Sequence, residues 1–137
     1  MKSFKIQIII FYSIFLFGIF SSCEKEQVPN YEFFLIKVDS IQVPENIIAN
    51  EPFDIIFYGT VGTNGCKQFS DFRTEKQNND IMIEAWGKFD KNSNICPAVM
   101  VYLDGEKLNY LIKEKGNYTF KIKQTDDNYF EKQISVK

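Results

Sequence analysis

The sequence contains no histidine. That absence excludes the Ser-His-Asp and Cys-His arrangements of nucleophilic catalysis, and it excludes metal sites built on imidazole. No glycine-rich phosphate-binding motif appears either, because the seven glycines are scattered among turn sequences. The chain therefore lacks the usual constellations of catalytic residues, and we expect it not to be an enzyme. An enzyme that uses two carboxylates alone is the one catalytic class left open.

Metal-binding patterns are equally scarce. Asp90-Lys91-Asn92-Ser93-Asn94 begins like a calcium-binding loop, but Ile95 stands where the loop needs glycine, and Val101 stands where it needs a bidentate glutamate. The carboxylate pair Asp126-Asp127 lies in a turn sequence, where aspartate is favoured for its local hydrogen bonds. We expect no metal site and no cofactor.

Basic residues do not predominate, since 16 lysines and arginines face 18 aspartates and glutamates, for a net charge of −2. No run of the sequence forms a basic stripe, so we expect no nucleic-acid partner. The one long apolar run lies at the N-terminus. Lys2 and Lys5 precede the apolar residues 6–20, and the small pair Ser21-Ser22 follows them, which is the pattern of an export signal.

Cys23 comes directly after that small pair, and Phe20-Ser21-Ser22-Cys23 resembles the lipobox of bacterial lipoproteins. The resemblance implies cleavage before Cys23, diacylation of its thiol, and a body held outside the cytoplasm at the cell membrane or the outer membrane. Two alternatives stay open: an uncleaved transmembrane anchor, since about 17 apolar residues is the lower limit for spanning a bilayer, and an ordinary secretory signal. We expect a signal peptide over residues 1–22, a lipidated cysteine and tether over 23–30, and one folded domain over 31–137.

If Cys23 carries lipid, two of the three cysteines remain, Cys66 and Cys96. An even pair in an oxidising compartment is typical of a disulfide, which would stabilise the domain by about 3 to 4 kcal/mol in the chain-entropy account. A reactive thiol and a metal site are the alternatives. We expect the disulfide.

From Tyr31 onward the apolar residues alternate with period two, which is typical of half-buried strands, and no stretch has the period of a helix. A phase shift near Asp39-Ser40 predicts a bulge. Asp104-Gly105 predicts a hairpin turn between two short strands, and residues 62–79 predict one short strand flanked by loops. The other strands are expected over residues 31–43, 53–62, 81–89, 98–103, 107–112, 118–123 and 130–136. Seven or eight strands at this spacing predict an all-β, antiparallel sandwich.

Gly116-Asn117-Tyr118 resembles the approach to the penultimate strand of immunoglobulin-like domains. The resemblance implies an Ig-like β-sandwich in which the Tyr118 hydroxyl bonds back to the backbone. Phe120 stands where antibody domains have their second cysteine, so the chain is not expected to belong to the antibody lineage. Asp39-Ser40-Ile41 resembles the short site at which some bacterial envelope proteins are O-glycosylated, which makes Ser40 a candidate acceptor.

The chain is rich in aromatic residues, with 14 Phe, 7 Tyr and 1 Trp. Most are needed to fill a small core, but several exposed together would mark a contact surface. The candidate contact residues lie on the loops beside the cysteine pair or near them, and they are Phe69, Phe72, Trp86, Asn92 and Asn94.

We therefore expect a non-enzymatic binding or scaffolding module at the cell envelope. It would present the loop end that the disulfide holds to a protein or a glycan. The alternative is a protease inhibitor, because a rigid loop on a small sandwich can occupy an active-site cleft in a preorganised form.

Overall fold

The computed structural model describes residues 28–126 and 128–137. In this part of the chain there are eight strands and no helix, and hence no helix long and apolar enough to cross a membrane. The predicted signal peptide and the lipobox cysteine Cys23 lie outside the described residues. The strands are β1 (Tyr31–Leu35), β2 (Lys37–Gln42), β3 (Pro52–Gly62), β4 (Lys67–Gln77), β5 (Asp80–Asp90), β6 (Val101–Leu111), β7 (Gly116–Lys123) and β8 (Tyr129–Val136).

The strands form two sheets. In the five-stranded sheet, β4 pairs along one edge of β5, while β7 and β1 pair with the two halves of its other edge, and β8 pairs with β7. The three-stranded sheet has the order β2-β3-β6. The predicted all-β class and strand number are confirmed. Five of the six ladders are antiparallel as expected, but β5 and β7 pair in parallel, which the sequence did not predict.

The parallel pair is linked on its outer face by Lys121 of β7. Its ammonium group lies 2.6 Å from the Asp80 carboxylate on β5 and 4.0 Å from the Glu131 carboxylate on β8. The hydrogen bond to Asp80 is the largest of the causes that raise the pKa of Lys121. The Lys121 side chain thus links its own strand, β7, to both of its neighbours, β5 and β8.

The core lies between the two sheets and is made by the inward-facing residues of both. Phe57 of the three-stranded sheet and Phe120 of the five-stranded sheet are fully buried. Each large apolar side chain buried in this way stabilises the fold by about 1.5 to 3 kcal/mol. The other buried apolar residues are Ile36, Val38, Ile47, Ile55, Val61, Ile81, Ile83, Ala85, Leu103, Ile112, Tyr118, Ile122 and Val136.

The strands with the clearest alternation have the predicted faces. In β5, Ile81, Ile83 and Ala85 are buried while the residues between them are half-buried on the outer face. β7 buries alternate residues from Tyr118 to Ile122, and β3 lies between two neighbours, as expected of a central strand. Period-two patterning therefore placed these strands correctly.

The predicted hairpin at Asp104-Gly105 is wrong. Residues 101–111 form the single strand β6, which pairs with β3 along its length. The register shifts here, because Phe57 pairs with Glu106 and Tyr58 pairs with Asp104, so Gly105 is the extra residue of a β-bulge. Its φ of 84° is one that glycine adopts without steric cost, which is why the same dipeptide suits a turn and a bulge.

The expectation of one short strand within residues 62–79 is also wrong. β4 is 11 residues long and pairs with β5 throughout. β4 is an edge strand, and its second half is exposed and polar on both faces. The sequence of that half therefore lacks the alternation that a half-buried strand shows.

The predicted first strand is divided between the sheets. β1 pairs with β5, the chain crosses at the buried Ile36, and β2 pairs with β3 in the other sheet. The predicted bulge is confirmed, because the β2–β3 register shifts between Val38 and Ser40. Ser40 itself is exposed next to that bulge.

Tyr118 makes the bond that its sequence context predicts. Its hydroxyl donates to the backbone carbonyl of Glu114 at 3.0 Å, and its ring is 4% exposed. Glu114 belongs to the connection that carries the chain from β6 in one sheet to β7 in the other. The tyrosine therefore ties this crossing to the core.

We expect Tyr118→Phe to lower the free energy of unfolding by about 1 kcal/mol or somewhat more, because the ring still packs while the Glu114 carbonyl loses its buried donor. Tyr102→Phe is the matched control, since Tyr102 is 62% exposed. Urea unfolding of the two variants measures the difference. Equal midpoints for both would show that the bond to Glu114 contributes nothing.

Candidate functional site

The chain segments that form the predicted contact site, including both cysteines, lie together at one end of the sandwich, which we call the near end. The starts of β1, β4 and β6 lie there with the ends of β3 and β5. Residues 28–30 enter there, the turn 63–66 joins β3 to β4, and residues 91–100 join β5 to β6. The far end holds the connections 43–51, 78–79 and 112–115 together with Lys137.

The predicted disulfide is present at the near end. Cys66 and Cys96 are bonded, with their Cα atoms 5.3 Å apart. Because Cys66 lies just before β4 and Cys96 lies in the connection 91–100, the bond joins two loops, and each loop leads from one sheet to the other. We call residues 91–100 the stapled loop.

Backbone bonds hold the stapled loop beside the turn 63–66 in addition to the disulfide. The Gly65 N–H donates to the Pro97 carbonyl at 2.8 Å, and the Val99 N–H donates to the same carbonyl at 2.9 Å. A Cβ atom at position 65 would come within 3.1 Å of the Val99 side chain, so the two segments approach closely at glycine. The loop is thereby fixed without a regular strand or helix.

Apolar side chains on and beside the stapled loop face solvent. Ile95 is 89% exposed, and Val99, Met100 and Tyr102 are each about half exposed or more. Tyr31 and Phe33 at the start of β1 and Val28 before it are exposed at the same end. Of the ten large apolar side chains exposed in the described residues, these seven lie at the near end. Exposed apolar side chains are therefore concentrated at this end, where Ile95, Val99 and Met100 on the stapled loop are the candidates for a contact surface.

The chain enters the domain along the stapled loop. The Asn92 side-chain amide donates to the Val28 carbonyl at 3.2 Å, and the Lys91 N–H donates to the Asn30 carbonyl at 2.9 Å. The Asn30 N–H in turn donates to the Asp90 carboxylate at 3.3 Å. Whatever precedes Val28 is therefore attached beside this loop.

Two of the predicted contact residues, Phe69 and Phe72, face the core instead of a partner. Their rings pack 4.8 Å apart, and Phe72 lies 4.4 Å from the buried Phe57. A spacing of three residues would place them on opposite faces of a regular strand. The bulge between Phe69 and Asp71 restores them to one face, so they do not belong to a contact surface.

The other three predicted residues lie in two different places. Trp86 is on the outer face of β5, where Arg73 stacks 4.4 Å from its ring and the indole N–H donates to the Glu84 carboxylate at 2.8 Å. Asn92 and Asn94 are exposed on the stapled loop. The structure thus brings only the two asparagines into the near-end surface.

Sequence patterns alone do not identify the residues that make up most of this surface. Ile95, Val99, Met100 and Tyr102 follow or flank Cys96 in the sequence, and part of this run was assigned to a strand because it is apolar. The signal that could have identified them is an apolar run that directly follows a disulfide cysteine and contains Pro97, since proline cannot donate to a ladder.

Two surface grooves lie elsewhere in the described residues. One lies over β7 and β8 and is lined by Asn117, Thr119, Gln133 and Ser135 with Tyr118 and Ile134. The other lies on the outer face of β4 and β5 and is lined by Arg73, Thr74, Glu75, Met82 and Glu84. Only the second has carboxylates, and its Glu84 is already engaged by Trp86 and by Lys123 at 3.5 Å.

Comparison with known proteins gave no match, because no protein family, no curated protein and no solved structure is significantly similar to this chain. The assignment of a role therefore depends on the geometry of the near end and on the residues that precede it.

We expect removal of the disulfide to destabilise the domain by about 3 to 4 kcal/mol, because the open chain regains the entropy that the bond removes from its unfolded state. The test compares urea unfolding of residues 24–137 with that of the same chain carrying Cys66→Ala and Cys96→Ala. The variant should not respond to a reductant, whereas the parent should lose stability. Equal stability of the two oxidised chains would contradict the expectation.

Proposed function

We propose that the protein is a bacterial lipoprotein that carries one Ig-like β-sandwich and is held at the cell membrane or the outer membrane through lipid on Cys23. The export signal and the lipobox-like residues before Cys23 support this proposal. A disulfide between Cys66 and Cys96 agrees with a body outside the reducing cytoplasm. Tyr118, with its bond to Glu114, supports the Ig-like relationship.

The role of the domain is non-enzymatic contact at the envelope through its near end. The observation that carries this proposal is the covalently fixed loop whose aliphatic side chains face solvent, above all Ile95 at 89% exposure. Exposing such side chains is unfavourable in water, and fixing the loop in advance reduces the entropy lost on binding. Both features favour a surface that a partner covers. The sequence does not distinguish between a protein and a glycan as that partner.

The lipid anchor is tested by Cys23→Ser. We expect this change to release the protein from the membrane fraction or to leave it with an uncut signal, because serine cannot form the thioether that holds the diacylglycerol. Lys25→Ala is the control and should remain membrane-bound. Equal fractionation of the two variants, with unmodified Cys23 in the mass spectrum of the parent, would contradict the anchor.

The contact role is tested with the soluble chain 24–137, which contains both sheets and the whole described core. We expect the immobilised chain to retain an envelope component, and we expect Ile95→Ser to lower the retained amount. Ile48→Ser at the far end removes a similarly exposed isoleucine, 48% exposed, and should change nothing. The proposal fails if both variants retain as much as the parent, or if neither protein, glycan nor lipid from the envelope is retained.

A protease inhibitor is the second candidate, favoured by one observation. Residues 94–100 have no regular secondary structure, are largely exposed and are fixed at Cys96, as a segment that enters an active-site cleft must be. Stoichiometric inhibition of a serine or cysteine protease by the soluble chain, lost on reduction, would favour this candidate. Cleavage of the loop without inhibition would exclude it.

A further inference from the structure

If the protein is anchored as proposed, the membrane lies at the near end, whichever partner the loop contacts. Asn92 fixes the Val28 carbonyl at 3.2 Å, so the chain leaves the domain beside the stapled loop. Only five residue steps separate Val28 from Cys23, and a fully extended chain covers about 18 Å over that length. An uncleaved anchor ending at Phe20 would allow about 29 Å. Either anchor holds the near end, and not the far end, against the bilayer.

The exposed side chains of the near end are of the kinds that suit a lipid interface. Aliphatic residues are joined there by Tyr31, Phe33 and Tyr102, and amphipathic aromatic rings favour the boundary between acyl chains and headgroups. The far end exposes only two large apolar side chains in the described residues, Ile48 and Leu111. Apolar exposure is thus concentrated on the side where water would be displaced by lipid.

Lysines accompany these apolar residues. Lys88 lies 5.1 Å from the centre of the Tyr31 ring, Lys67 starts β4, and Lys91 belongs to the stapled loop, where it pairs with Glu32 at 3.0 Å. Surfaces that lie in a membrane interface combine apolar side chains with lysines in this way, and the lysines attract anionic headgroups.

We infer that the stapled loop docks on the lipid bilayer, with Ile95, Val99 and Met100 inserted among the headgroups next to the anchor. This inference rests on the proposed anchoring and gives the contact surface a specific partner: a phospholipid surface, rather than an envelope protein or glycan. The disulfide then keeps the inserted side chains on a fixed loop, and the anchor raises their effective concentration at the bilayer, so a weak contact suffices. The sandwich stands on the membrane and presents the far end outward.

The test uses the full-length protein, purified from membranes and reconstituted in vesicles of phosphatidylethanolamine and phosphatidylglycerol. Ile95→Trp places an indole on the loop, and Ile48→Trp places one at the far end as the matched control. Trp86 is the one native tryptophan, so the unsubstituted protein gives the background. We expect the emission added by Ile95→Trp to shift to shorter wavelength and to be quenched by lipids brominated near the headgroup, and the emission added by Ile48→Trp to remain that of an exposed indole.

Equal, water-like emission from both variants in vesicles would overturn the inference. Shielding of the Ile95→Trp indole in native envelope but not in pure lipid vesicles would also overturn it, in favour of a protein or glycan partner. A second arm uses the anchor-free chain 24–137 in vesicle flotation. Ile95→Ser should weaken its binding about tenfold, the effect expected from losing one buried aliphatic side chain, and Ile48→Ser should not.

The two proposals fail in different ways. An unmodified Cys23 in the N-terminal peptide, together with vesicle binding by the anchor-free chain, would remove the lipid anchor and leave the docking loop in place. A lipidated Cys23 with no shielding at position 95 would leave the anchor in place and remove the docking loop.

Discussion

The bond between Cys66 and Cys96 is the constraint on which the functional account depends. It connects the turn after β3 with the loop after β5, the two places at this end where the chain passes from one sheet to the other. Without it, a loop with no regular secondary structure and with Ile95 almost fully exposed would collapse onto other apolar surface or sample many conformations. With it, the aliphatic side chains stay outward and ordered. The disulfide stabilises the fold and also determines which side chains of this loop are presented to solvent.

The entry of the chain beside this loop gives the molecule an orientation. Three hydrogen bonds join residues 28–30 to Asp90, Lys91 and Asn92, so the chain enters the sandwich at the end where apolar side chains are exposed. A short tether would by itself permit many orientations of a small domain. The apolar near end favours one of them, because that orientation removes exposed apolar surface from water. In the proposed arrangement, the anchor and the loop are two membrane contacts on one rigid body, and the anchor makes a weak contact of the loop sufficient.

The sequence predicted what depends on local alternation, and it failed where tertiary context decides. β5 and β7 were placed correctly because one face of each is buried and the other is not. Asp104-Gly105 was misassigned because a turn and a bulge need the same backbone freedom, and only the partner β3 selects the bulge. Phe69 and Phe72 are candidate contact residues on sequence grounds, but the bulge between Phe69 and Asp71 places both on the core face. The near-end surface is formed by segments that are far apart in the chain, such as those of Val28 and Asn92. Their contact cannot be predicted from the local alternation of apolar and polar residues.

Hydrogen exchange of the anchored protein, in lipid vesicles and in detergent-free solution after release from the anchor, tests the central claim most directly. The account predicts that amides of Cys96 and Ala98–Met100 exchange more slowly on vesicles than after release, while those of residues 46–50 at the far end exchange equally in both states. The contradicting result is unchanged exchange across the stapled loop, with any protection on vesicles confined to the far end.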